Sequence, residues 1–172
     1  MAKKKPLSHV DSAGKLRMVD VTGKRSTLRR AHASCVVRTV ADIGALGQRN
    51  DGVDPVHASR LAGIQAAKQT ANIIPLCHPL NLNDIHVDIV ANSQCIEISA
   101  TVAAQHRTGV EMEALTACAF AALSIISSLV DLDPNAQIDD LVLLRKSGGK
   151  SGDWGRLVDA PARQPLTVNG LV

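Results

Sequence analysis

Residues 110–131 restrict the fold more than any other part of the chain. The central run Ala-Leu-Thr-Ala-Cys-Ala-Phe-Ala-Ala-Leu-Ser-Ile-Ile is apolar on nearly every side of a helix. An amphipathic surface helix buries one stripe; a helix apolar all round must be buried against a sheet or a neighbouring subunit. Two carboxylates, Glu111 and Glu113, stand at its start, where the helix N-terminus favours negative charge, and Asp133-Pro134 stops it.

The rest of the chain supplies the sheet. Residues 18–21 read as a short strand, and the β-branched run 33–40 as a longer one. Residues 42–54 are rich in Gly, Asn and Asp and read as a loop. Asp54-Pro55 then starts a helix, with Asp as cap and Pro in the first turn. Ala58, Leu61, Ala62, Gln65, Ala66 and Gln69 keep helical spacing to about Asn72. A hairpin comes next, with Ile85, Val87 and Ile89 alternating, a turn at Asn92-Ser93-Gln94, and Ile96, Ile98 and Ala100 alternating back. Residues 141–144 read as a last strand. The order β-α-β-β-α-β predicts an α+β fold of the ferredoxin-like, split βαβ kind, an antiparallel sheet with two main helices on one face. The all-round apolar second helix suggests that oligomerisation covers what the sheet does not. The expected organisation is a flexible basic N-terminus (1–6), one domain (7–154) and a flexible C-terminal tail (155–172).

Composition narrows the function. A chain of 172 residues, 45% apolar, is large enough to bury a core. Its aromatics are Phe120 and Trp154, with no tyrosine, so base-stacking platforms for single-stranded nucleic acid are absent. The net charge is +3, part of it from the solvated Lys3-Lys4-Lys5 run. Cys35, Cys77, Cys95 and Cys118 form no CxxC pair or structural zinc spacing. With no signal peptide or uninterrupted apolar span, these are expected to be reduced thiols of a cytoplasmic protein.

Three blocks carry chemistry. Ile74-Pro75-Leu76-Cys77-His78-Pro79-Leu80 holds Cys77 and His78 between two prolines that fix φ on either side. Adjacency disfavours a Cys-His nucleophile pair, which leaves His78 as a substrate contact or proton donor. Glu111 and Glu113, two apart, point about 200° from each other on a helix, so one can face a site while the other compensates the helix end. Lys146-Ser147-Gly148-Gly149-Lys150-Ser151-Gly152 resembles a phosphate loop, but the Walker pattern requires glycine where Leu144 stands, and no helix follows. A phosphate cradle and a flexible basic tail both fit these residues. Arg29 and Arg30 are further phosphate candidates, whereas His9, His32, His57, His86 and His106 have no patterned partners.

The blocks Leu7-Ser8-His9-Val10-Asp11, Met18-Val19-Asp20-Val21, Arg60-Leu61-Ala62-Gly63-Ile64-Gln65-Ala66-Ala67-Lys68, Ile74 to Leu80, Thr108 to Ala117 and Lys146 to Gly152 closely resemble the MoaC family in order and spacing. The resemblance implies a cyclic pyranopterin monophosphate synthase of molybdenum cofactor biosynthesis. Such a lyase converts 3′,8-cyclised dihydro-GTP to cyclic pyranopterin monophosphate and pyrophosphate, without metal or organic cofactor. It also implies a hexamer of three dimers with sites at subunit interfaces. Carried over, Leu76, Cys77, His78, Met112, Glu113, Arg29, Glu111 and Lys146 are substrate-binding, with His78, Glu113 and Lys146 in catalytic roles.

The chain departs from the family at its catalytic pair. After the second helix's Ala-Leu-Thr-Ile the family pattern runs Tyr-Asp-Met-x-Lys. Ungapped counting puts Ser127 at the Asp position and Val130 at the Lys position. A further family lysine before the first helix falls on Gly52. Asp131, one turn beyond Ser127, is a candidate substitute carboxylate. Two functions are therefore carried forward: an active synthase with an altered acid–base set, and a non-catalytic paralogue that binds the substrate or assembles with an active synthase subunit.

Overall fold

The computed structural model describes residues 9–11, 13–41, 54–92 and 95–157. Its elements are β1 (Thr27–Arg38), α1 (Pro55–Lys68), α2 (Thr70–Ile73), β2 (Asp84–Ala91), β3 (Cys95–His106), α3 (Glu111–Leu129), β4 (Gln137–Ser147) and β5 (Trp154–Gly155). The sheet order is β2-β3-β1-β4-β5, antiparallel at every pairing. β1 and β2 therefore run parallel with β3 inserted between them, which is the split βαβ arrangement. The fold is α+β, with the helices packed on one face of the sheet.

Alternation builds the core as expected. Ala31, Ala33, Cys35 and Val37 of β1, Ile96, Ile98 and Val102 of β3 and Val87 of β2 are all buried. Against them lie Ala114, Ala117, Cys118, Ala121, Ile125 and Leu129 of α3. The small residues let the helices approach closely: a Cβ on Gly63 of α1 would stand 2.8 Å from the Ala117 carbonyl oxygen. α3 meets the length and hydropathy of a membrane span, yet half of that window is buried inside the fold, as in a core helix. Its outer side is apolar as well, with Phe120 and Leu123 exposed.

The structure revises several expectations. Residues 18–21 form no strand; the one bridge described in that region joins Val10 to Leu16. β1 begins earlier than residue 33, and β4 is far longer than residues 141–144. The predicted first helix breaks at Gln69, whose amide is shared between the Gln65 and Ala66 carbonyls, before the short α2. Asp54 caps α1 as expected, accepting from the amides of Val56 and His57 at 2.8 and 3.3 Å. The chain beyond residue 154 is not all tail. Gly155 pairs with Arg145, and the Arg156 amide donates to the Leu144 carbonyl at 2.8 Å. Gly52 and the N-terminal lysines lie outside the described residues.

Two irregularities in β4 set which way its side chains face. Asp140 takes φ 51° where the register slips opposite residues 34–36, the left-handed kink of a bulge. A second slip lies between the pairs His32–Arg145 and Ala33–Leu143. Leu143 and Lys146 are three apart, yet they sit opposite Ala33 and Ala31, which share the helix-facing side. The second slip therefore turns Lys146 toward the helices.

Candidate active site

At the end of the sheet where α3 begins, a cleft of about 1060 Å³ opens between four segments. Residues 19–30 form one wall, the Pro-bracketed loop a second, the β3–α3 loop with the first turn of α3 a third, and residues 146–151 the fourth. Among the described residues, Lys24, Arg25, Arg29, Arg30, Arg107, Lys146 and Lys150 line it, against two carboxylates, Glu111 and Glu113. Cationic excess at this density suits a polyanionic small molecule.

Local sequence explains each wall. Pro75 keeps Ile74 extended after α2, and the Cys77 amide donates back to the Ile74 carbonyl at 3.1 Å, closing a turn that presents Leu76, Cys77 and His78 to the cleft. Gly109 leaves room that a side chain would fill, because a Cβ there would collide with the Glu111 carboxylate. That carboxylate meets Lys146 Nζ at 3.1 Å, each side chain 29% exposed. Glu113 lies under the rim, only 4% exposed. Burial, aided by the neighbouring Glu111 charge, pushes its carboxyl up to about 7. The Cys77 thiol is also raised, by burial first and then by the Glu113 charge, which holds it in the unreactive thiol form.

The glycine block is ordered, not a loose tail. Gly148 and Gly149 have φ of 86° and 81°. However, the Gly148 N–H donates to Asp153 Oδ1 at 3.0 Å, and the Gly152 N–H to the Gly149 carbonyl at 3.2 Å. Two amides of the anticipated cradle are thus used internally, and the lysines carry the block's attraction for anions.

The cleft therefore brings together Leu76, Cys77, His78, Arg29, Glu111, Met112, Glu113 and Lys146. It does not include Ser127. Fourteen residues of α-helix separate Ser127 from Glu113, roughly 21 Å, and Ser127, Val130 and Asp131 are all exposed at the far end. Within one chain, these positions and the cleft belong to opposite ends of α3. The structure adds Lys24, Arg25 and Arg107 to the site, which the sequence reading leaves out. Their sequence signal is the Thr22-Gly23 turn just before β1 and the run into Gly109 after β3.

An α+β chain whose cationic cleft sits where the second helix meets the sheet end is a small-molecule-site protein of the split βαβ class. The chain belongs to the MoaC family, which it matches over residues 18–149. It is 46% identical over 153 residues to the cyclic pyranopterin monophosphate synthase of Streptomyces coelicolor, covering 87% of this chain and 89% of that one. It is 47% identical to cyclic pyranopterin monophosphate synthase 2 of Mycobacterium tuberculosis H37Rv (87% and 91% covered) and to the Nostoc synthase (86% and 90%).

Proposed function

We propose that the chain is a cyclic pyranopterin monophosphate synthase-type lyase of molybdenum cofactor biosynthesis, acting on 3′,8-cyclised dihydro-GTP and releasing pyrophosphate. The observation that carries this reading is the coincidence of family membership along most of the chain with a cleft in which, among the described residues, seven cations surround two carboxylates, one ion-paired and one buried. Lys146 and Lys150, with Lys24 and Arg25 from the segment that leads into β1, serve the phosphates. Glu113, half-protonated near neutral pH, is suited to give or take a proton at the ring system, with His78 as its complement. Glu111 holds Lys146 in place through their contact. We take the working assembly to be a cytoplasmic hexamer of three dimers, needing no metal or organic cofactor.

Ser127 and Val130 favour a second reading. A hydroxyl and an isopropyl group cannot perform the proton transfers of a carboxylate and an ammonium, and each lost group costs on the order of 10²–10⁴-fold. A chain that binds substrate without turning it over, or that joins a charge-bearing synthase subunit, is what that loss would leave. The deciding experiment is to supply the purified protein alone with enzymatically prepared cyclised dihydro-GTP and measure pyrophosphate and cyclic pterin. Product at a catalytic rate supports the lyase. Binding without product supports the paralogue.

A further inference from the structure

We propose that Arg29 is a positioning residue that locks the Gly148–Gly149 turn of β4 to the loop between β3 and α3, instead of contacting phosphate itself. The proposal deepens the reading of the cleft as a polyphosphate site and rests on that reading for its effect on binding.

Arg29 continues the stripe of Ala31, Ala33, Cys35 and Val37, so its side chain leaves β1 on the helix-facing side, opposite Ala104 of β3. There α3 has not yet begun, and the guanidinium fills the gap. Nε donates to the His106 carbonyl at 3.3 Å, Nη2 to the Arg107 carbonyl at 3.1 Å, and Nη1 to the Gly148 carbonyl at 3.4 Å. Three of its five N–H donors are thus directed at backbone oxygens from two different loops. Those oxygens carry partial negative charge and take one donor on each guanidinium nitrogen, so the group is held by loop carbonyls although it also lines the cleft.

The glycine turn is moulded on this side chain. A Cβ on Gly149 would fall on Arg29 Nη1, and one on Gly148 on the Leu28 carbonyl oxygen. Both glycines also hold φ values that other residues rarely adopt. Lys146 lies two residues before the clamped turn, and Glu111 four residues after the clamped Arg107. The Lys146–Glu111 contact of 3.1 Å spans the same joint. Arg29 therefore sets how far the cationic end of β4 stands from the carboxylate end of α3.

The test compares wild type, Arg29→Lys and Lys146→Ala by hydrogen–deuterium exchange and by calorimetric titration with inorganic pyrophosphate at two salt concentrations. Arg29→Lys keeps the charge but cannot reach three carbonyls. It should speed exchange in both residues 106–109 and residues 147–150, and weaken pyrophosphate at least about tenfold. Its salt dependence should match wild type, whereas Lys146→Ala should flatten it. Gly149→Ala meets both the guanidinium and its own positive φ, so it should speed exchange in residues 147–150, and adding Arg29→Ala should relieve only part of that loss. Unchanged exchange in either loop, or wild-type affinity in Arg29→Lys, would overturn the proposal. Should wild type itself not bind pyrophosphate, the polyphosphate reading of the cleft fails, and the exchange result alone decides the clamp.

Discussion

Lys146 Nζ and a Glu111 carboxylate oxygen stand 3.1 Å apart across the joint between the last long strand and the second main helix. Three local features meet at this contact: the strand slip that turns Lys146 toward the helices, the absent side chain at Gly109, and the Arg29 hydrogen bonds to the two loops beside it. Partly exposed pairs of this kind are worth about 0.5–1 kcal/mol. A double-mutant cycle on Lys146→Ala and Glu111→Gln, read by urea denaturation, should return coupling of that size. Lys146→Ala should also weaken pyrophosphate, and unchanged affinity would remove the lysine from the site.

Glu113 should make the fold less stable as pH rises. Its carboxyl sits at about 7 in the folded chain against an ordinary 4.5. The folded state thus binds this proton more tightly than the unfolded state does. The contribution is complete below pH 4.5 and lost progressively as pH climbs to about 7, a change on the order of 3 kcal/mol. Glu113→Gln should remove that slope, gaining stability over wild type at pH 8 but not at pH 4. Parallel stability–pH curves for the two proteins would show that the carboxyl is not held neutral.

The close passage of α1 over α3 should tolerate no methyl group at Gly63. Alanine there must push against the Ala117 carbonyl oxygen and the Ala121 Cβ, 2.8 and 3.2 Å from the new atom. Overpacking of this sort costs about 1–3 kcal/mol, more than the helix preference of alanine returns. Thermal unfolding of Gly63→Ala should fall by several degrees, and Gly63→Val by more.

Restoring charge at the far end of α3 offers the sharpest test of the two functional readings. Ser127→Asp with Val130→Lys should raise turnover only where a second chain's cleft can receive the new groups, since their own is roughly 21 Å away along the helix. The gain should therefore also appear when the double variant, further carrying Lys146→Ala, is co-assembled with wild type. A gain in the double variant but none on co-assembly would mean that one chain supplies everything.

Much of the fold and the cleft is legible in the sequence, and the illegible part has physical reasons. The hairpin at Ile85–Ala100 and the Asp54 cap are local patterns, and local rules find them. The Pro-bracketed Cys77-His78 and the Glu111/Glu113 pair are visible because rigid polar display beside apolar runs is unusual. Lys146 facing the helices is not, because a strand slip reverses the side on which every later residue lies. Residues 18–21 read as a strand through their valines, yet Val19 and Val21 line the cleft. Arg29 reads as a phosphate ligand in the sequence because its partners are carbonyls, and backbone oxygens 77 to 119 residues away leave no mark there.

The length of α3 has a consequence for how such a protein can change over generations. One end of the helix lines the cleft, while the other, exposed by 54% at Val130, carries Ser127 and Val130. Roughly 21 Å of helix separates the two, so a change of an exposed side chain at one end does not disturb the packing of the same chain at the other. Within one chain, the exposed end can therefore exchange surface side chains over generations while the packing that shapes the cleft stays as it is.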